Sequence, residues 1–370
     1  MAKEHITIIG AGPAGLTAAI EFRKHGLPVR VFDKASDVGH RMHGDFQGLE
    51  NWSSEQDITD LLKETGLGIN FTCVPYYGGT VYAPEMKPME VSSDRPIFYL
   101  VKRGPLPGTI DSGLKEQALS LGVELHFDRR LESIDGNAIV GTGPARAVGL
   151  TRGITFDTSH EDMVAVIFND NIAPKGYAYL MINQGRGTMV TVLYGEFRRI
   201  EYYLDRTVHF FKRHVAVDME DKKAFGGYGD FFIGETQVKN GKLYAGEAGG
   251  FQDYLWGFGM RYAILSGYLA AMSIIRGIDY DDLWKRELKP MMETSLVNRY
   301  LYEKFGHAGY RHIARRTAQG NPCGFLKKNY NPSLVKNLLL PLAIRSFRRN
   351  VERRTFSFEH EARKGKQAYL

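Results

Sequence analysis

Residues 6–34 read "ITIIGAGPAGLTAAIEFRKHGLPVRVFDK". A short apolar run, Ile6–Ile9, stops at Gly10. A helical pattern then runs to Gly26, and a second apolar run ends in Asp33. Gly10 permits a tight turn, and Gly12 lets backbone approach a pyrophosphate. Gly15 lets helix and strand pack closely, while the positive end of the helix stabilises the phosphate charge. Asp33 is placed to accept hydrogen bonds from a ribose. Strand, turn, helix, strand and acid stand in order, which predicts a dinucleotide-binding unit holding its ligand with Gly10, Gly12, Pro13, Ala14, Gly15, Asp33 and Lys34. The alternative is an ordinary tight turn between strand and helix. Asp33 argues against a 2′-phosphate, although Arg30 and Lys34 flank it. No second GxGxxG with its own helix and acid follows, so a separate NADPH domain is not expected.

The chain has 370 residues, 43% of them hydrophobic, enough for two moderate domains with a real core. No uninterrupted apolar run reaches ~18 residues, which reads against a transmembrane helix. No N-terminal signal pattern is expected, because Ile6–Ile9 already belongs to a strand. Cys73 and Cys323 are far apart, carry no metal-ligand spacing and suit a reducing, cytoplasmic compartment. Charge is uneven. Residues 311–370 hold 14 Lys/Arg against 3 Asp/Glu, leaving 34 against 39 for the rest. A tail of that kind suits an anionic partner, or is a solvated basic helix.

Past residue 34, a helix is expected at 55–66 and short strands in "GGTVYAP", "MEVSS" and "PIFYLV". A helix at 109–121 and strands in "VELHF" and "AIVGTG" follow. From 152 to 194, four strand-like runs separated by turn residues predict an antiparallel sheet. A helix at 198–214 and short strands lead to Tyr244, and from Gly259 onward the pattern is helical.

The second informative stretch is residues 243–267, "LYAGEAGGFQDYLWGFGMRYAILSG". A glycine cluster carries one acid, Glu247, and a second glycine pair, Gly257 and Gly259, opens a helix. An adenine dinucleotide gripped at Gly12 must extend its other half towards the sheet centre. If that half is a flavin, Glu247 can accept a ribityl hydroxyl. The helix start at Gly257, Phe258, Gly259 and Met260 can then aim its positive end at the phosphates or at flavin O2/N1. The bland alternative is a surface loop.

Together "GAGPAG…VFDK", "YLVKR…AIVGTGP" and "GEAGGFQDYLWGFGMRYAILSGYLAA" resemble the FAD-dependent geranylgeranyl reductase family. That family belongs to the para-hydroxybenzoate hydroxylase-like flavoproteins. The similarity spans roughly residues 5 to 305 and is most specific at its two ends. It implies an α/β fold: a Rossmann-like FAD-binding domain, an inserted antiparallel β-sheet substrate domain and a helical C-terminal region. The expected boundaries are 1–75, 95–150 and 240–290 for FAD, 76–94 and 151–239 for substrate, and 291–370 for the basic helical region.

The family's Gly-Asp becomes Gly246-Glu247, its Asn-Pro becomes Asp253-Tyr254, and its Gly-x-Gly survives as Gly257-Phe258-Gly259. Arg103 matches the arginine of Tyr-x-Val-x-Arg, and Arg41 lies where the fold group places an arginine near the flavin side. His43-Gly44 stands where relatives carry Cys-Gly. "PKGYAYLMIN" keeps Pro174, Tyr177 and an aromatic at Tyr179 of the polyprenyl-tunnel stretch, but has Met181-Ile182 for Phe-Pro. His43, Tyr177 and Tyr179 are the candidate catalytic residues, and the aromatics Tyr76, Tyr77, Phe251, Tyr254 and Trp256 candidate cavity walls or core.

The resemblance implies an FAD-dependent oxidoreductase that reduces carbon–carbon double bonds of an isoprenoid or other lipid. Its electrons would come from NAD(P)H or a small redox protein. A flavin monooxygenase or halogenase acting on an aromatic is one alternative, and a flavin-binding electron carrier without turnover is another. In "SLVKNLLLPLAIRSFRRNVERR", Leu334, Leu338, Leu342 and Phe347 stand among basic residues, with a kink or break expected at Pro341. This helix is expected either to lie on the inner face of the membrane or to pack on the body. No nucleic-acid partner is expected.

Overall fold

The computed structural model describes residues 5–131 and 138–363. The expected segment ends at 1–4 and 364–370 lie outside the described residues. Strand β1 (Ile6–Ile9), helix α1 (Pro13–Lys24) and strand β2 (Val29–Phe32) form the predicted opening. The chain continues through β3 (Phe46–Glu50), α2 (Ile58–Glu64), β4 (Cys73–Tyr76), β5 (Gly78–Tyr82) and β6 (Pro88–Ser92). Next come β7 (Phe98–Lys102), α3 (Ile110–Ser120), β8 (Glu124–His126) and β9 (Ala138–Val140). The long strands are β10 (Gly149–Asp157), β11 (Met163–Ile167), β12 (Tyr177–Asn183) and β13 (Arg186–Leu193). Helix α4 (Ile200–His214) precedes β14 (Glu220–Gly229) and the short β15 (Val238–Lys239) and β16 (Lys242–Tyr244). Helices α5 (Met260–Arg276), α6 (Tyr280–Glu287), α7 (Lys289–Ala318), α8 (Pro322–Tyr330) and α9 (Leu334–Arg363) complete the described residues.

The first sheet has the order β15-β16-β9-β1-β2-β8. β1 pairs in parallel with β2 and β9, and β9 with β16, so the beginning, middle and late parts of the chain share one sheet. Parallel strands covered by helices are apolar on both faces, and Ile8, Val29, Val31 and Ile139 are buried accordingly. Helix α1 starts on Pro13 with no acid in its first turn. It packs against α5 so closely that a methyl at Gly267 would lie 2.1 Å from the Ala14 carbonyl oxygen.

The second sheet has the order β14-β10-β13-β12-β11-β5-β6. The antiparallel pattern read from 152 to 194 holds for β10 to β13. Outside that stretch, β5, delivered from the N-terminal half, joins the same sheet by pairing with β11 in parallel. Such a pairing joins residues 80 and 165, and no local periodicity reports it. The edge strand β14 was not resolved as a single element by sequence, because "EDKKAFGGYG" is polar at one end and glycine-rich at the other. A smaller antiparallel sheet has the order β3-β7-β4.

In α7, Gly306 takes a non-helical φ of 48° and kinks the helix. Helix α9 contains Pro341 and runs through it. One face of α9 packs on the body: Ala343 and Val351 are buried, and the Phe347 ring stacks 5.9 Å from Phe231.

Candidate cofactor and substrate cavity

The first turn is built by removing side chains. A Cβ on Gly15 would sit 1.9 Å from the Gly10 carbonyl oxygen, and one on Gly10, at φ +100°, would sit 2.2 Å from that of Gly141. These two glycines therefore lie behind the site, stacking backbone on backbone. Gly12 differs, since a Cβ there would meet nothing within 4 Å. It lines a cavity of about 810 Å³, together with Pro13 and Ala14. Asp33 and Lys34 line the same wall. The Asp33 carboxylate accepts the Ala11 N–H at 2.7 Å and the Ala35 N–H at 2.9 Å, fixing its orientation while each oxygen keeps acceptor capacity.

The late motif reaches the same space. The Ala245 N–H donates to Val140 at 2.9 Å, and a Cβ on Gly246 would come 2.9 Å from that of Ala14. Gly246 and Glu247 line the cavity, as do Gly257, Phe258, Gly259 and Met260. Two segments more than 200 residues apart in sequence thus meet at one site. Glu247 Oε1 accepts the Asp230 N–H at 3.2 Å, and Oε2 lies 3.8 Å from the Arg41 guanidinium. Burial pushes the Glu247 carboxyl up to about 7, with Arg41 partly offsetting it. The α5 N-terminus has no acid in its first turn, so its positive end is left uncompensated there.

Arg41 and Arg103 both line the cavity. Arg103 spends most of its fork on Asp111, with Nε and Nη2 at 2.8 and 2.9 Å, and Nη1 donates to Gln47 at 3.3 Å. Asp111 is nearly fully buried and also accepts the Gly104 N–H at 2.9 Å.

Tyr177 and Tyr179 line the cavity's other half. The Tyr177 hydroxyl donates to the Trp256 carbonyl at 2.7 Å, and that of Tyr179 to the Phe46 carbonyl at 3.3 Å. Burial raises both phenols well above the usual tyrosine range, so both stay protonated. Phe251 and Trp256 belong to the wall, whereas Tyr254 is fully buried core and Tyr77 is 47% exposed. Tyr76 instead stacks on Phe98 and donates to Ile182. His43 is exposed and lies outside the lining, its ring tilted 6.2 Å from Phe225. The loop that carries it turns the neighbouring Arg41 and Met42 inward instead.

Several lining residues escaped the sequence reading. "GTGP" joins the turn through the Gly141 N–H, which donates to Ile9 at 2.7 Å. Its glycine-ended strand was a signal too common to weigh alone. Gln252 donates to the Gly257 carbonyl at 2.7 Å, while its own Oε1 is buried without a partner. The α7 and α8 residues Ile313, Pro322 and Leu326 close the far end.

Comparison with known proteins agrees with this geometry. Residues 8–47 match the NAD(P)-binding Rossmann-like domain. The chain is 22% identical over 351 residues to digeranylgeranylglycerophospholipid reductase 2 of Methanococcoides burtonii, covering 80% of this chain and 84% of that protein. The fold matches a geranylgeranyl bacteriochlorophyll reductase-like protein of Thermoplasma acidophilum, with a TM-score of 0.67 at 15% identity over 94% of this chain and 100% of that one. A flavin-dependent brominase has the same fold, with a TM-score of 0.62 at 15% identity over 94% and 100% of the two chains. The chain has the Rossmann-like fold of these flavoproteins, which are FAD-dependent. The open backbone at Gly12, the oriented Asp33 and the uncompensated α5 N-terminus fit that cofactor.

Proposed function

We propose that this protein reduces carbon–carbon double bonds in an isoprenoid or similar lipid chain. One observation carries the reading: the charged lining residues belong to residues 33–41, Arg103, Asp111 and Glu247, at the cofactor end of the cavity. Beyond Tyr177 and Tyr179 the walls are mainly aliphatic and aromatic, including Val81, Val164, Val166, Phe168, Ile313 and Leu326, and the hydroxyls of the lining residues Thr80 and Thr317 are spent on Glu90 and the Ile313 carbonyl. An alkene chain needs such a surface. A phenol or other polar aromatic would need groups to orient it, which is why the monooxygenase and halogenase reading is second.

Gly12, Asp33, Glu247 and the α5 N-terminus would hold FAD, with Arg41 and Arg103 supplying positive potential at its rim. When bound and reduced, FAD would supply the hydride chemistry for the alkene. The chain's own part is to exclude water and to place a proton donor. The apolar walls do the first. Tyr177 and Tyr179 are the candidates for the second. Phenols raised this far cannot lead with a proton, but each can pass one to a carbon that has become strongly basic. His43 is not among the groups that would touch substrate. The electron donor in this reading is NAD(P)H or a small redox protein, and the basic C-terminal region makes a peripheral membrane contact.

The test is anaerobic. Purified protein with bound flavin is reduced chemically, given an unsaturated polyprenyl glycerolipid, and the lipid is weighed by mass spectrometry. The expected product gains one pair of hydrogens for each double bond reduced. An unchanged lipid, together with an oxygenated or halogenated aromatic product when oxygen is admitted, overturns the reading.

A further inference from the structure

Helix α9 has two unlike faces. At 100° per residue, Leu339, Ala343, Phe347 and Val351 fall on the side that packs on the body. There Phe347 meets Tyr254 edge-on, with ring centroids 5.2 Å apart. The opposite side presents Leu334, Val335, Leu338 and Leu342, which are 83, 66, 79 and 53% exposed. The other exposed large apolar side chains described, from Ile69 to Phe305, stand singly along the chain, so this cluster is the unusual one. Arg345, Arg348 and Arg349 continue the same face, exposed and without a hydrogen bond or ion pair among the described residues.

We propose that this face docks on an anionic lipid bilayer, its leucines in the acyl boundary and its arginines among the headgroups. The proposal rests on the lipid-reductase reading and names the surface through which such a substrate arrives. No helix of the described residues is long and apolar enough to cross a membrane, so α9 lies in the interface plane. A second copy of the chain fits this face poorly. An isologous contact meets the same patch on the second copy, and residues 334–349 hold no acid with which to pair the arginines. The placement also suits delivery. Helix α8, whose Leu326 walls the apolar end of the cavity, leads directly into α9. The Lys336 ammonium fastens the two helices by donating to the Asn329 carbonyl and, at 3.1 Å, to that of Asn331.

The experiment is co-sedimentation of the full chain with phosphatidylcholine vesicles, with and without phosphatidylglycerol. The unaltered protein is expected to bind the anionic vesicles and to be released by salt. Arg345→Gln/Arg348→Gln/Arg349→Gln is expected to lose on the order of 100-fold in affinity for them and most of the salt dependence. Leu338→Glu/Leu342→Glu, at solvent-facing positions, is expected to lose binding while keeping its bound flavin. Vesicle binding unchanged in both variants overturns the proposal. So does concentration-dependent self-association that Leu338→Glu/Leu342→Glu abolishes, which would make the face a self-contact. Turnover of detergent-dispersed lipid separates the two readings: binding without turnover sinks the reductase reading alone, and turnover without binding sinks the docking surface alone.

Discussion

The two ends of the cavity keep their shape by opposite means. At the dinucleotide end, Gly10 and Gly15 bring backbone against backbone, and the spacing at these two leaves no room for one added carbon. At the apolar end, Val81, Val164, Phe168 and Leu326 come from three separate parts of the chain and hold the shape by bulk. The first end is specified by absent side chains and tolerates no addition. The second is specified by total volume and tolerates exchange. A fold built this way can keep its cofactor grip while its substrate wall drifts.

The largest effect is expected where the cofactor end departs from its own rule and relies on a side-chain pair. Arg103→Met strands Asp111 as a buried, unpaired carboxylate, and chemical denaturation should record a loss of about 3–5 kcal/mol. A loss under 1 kcal/mol would mean that water reaches Asp111. Next is Gly15→Ala, which forces the helix off its strand. It should cost about 1–3 kcal/mol and yield protein without flavin absorbance. Retained flavin would break the contrast between the two ends.

Tyr177→Phe leaves the Trp256 carbonyl without its donor and should cost about 1–2 kcal/mol. Turnover falls further than stability alone explains if the phenol delivers the proton, and flavin content stays unchanged. For Glu247 the effect is a slope. The folded protein holds its proton up to about pH 7, while the unfolded chain releases it near the ordinary value of 4.5. Its contribution to stability is therefore complete below 4.5 and is lost as the pH rises through about 7. Melting temperatures of Glu247→Gln across that window should fall less steeply than those of the unaltered protein. The smallest effect is His43→Ala. An exposed side chain outside the cavity should leave stability within about 0.5 kcal/mol and turnover unchanged. A large loss of turnover would restore it to the site.

The same contrast explains what could be read in advance. Gly10, Gly12, Gly15 and Asp33 lie within one strand-helix-strand unit, where local spacing fixes their geometry, and so their place was legible. Glu247 was legible because a carboxylate in a glycine cluster has few uses. Asp111 was not, because it reads as an ordinary acid in the first turn of a helix. Its meaning appears only when Arg103 folds onto it. The apolar walls at Ile313 and Leu326 were invisible for a related reason: a buried aliphatic on a helix looks the same whether it faces core or cavity. The exposed placement of His43 was not legible, because its position in sequence, beside the cofactor segment, carries no information about which way an exposed loop turns. The tail offered two readings, membrane or body. The body contact is now seen on one face of α9, and the other face remains for a partner.

The parallel pairing of β5 with β11 has a consequence for anyone who would take the molecule apart. Residues 78–92 leave the first half of the chain to complete the sheet made by the second half. No single cut therefore yields two self-sufficient pieces. A fragment starting after residue 92 would present β11 as a raw sheet margin, with its unpaired amides and carbonyls inviting another molecule to fill the gap. Split halves expressed together are instead expected to find each other, because each carries the strand the other lacks.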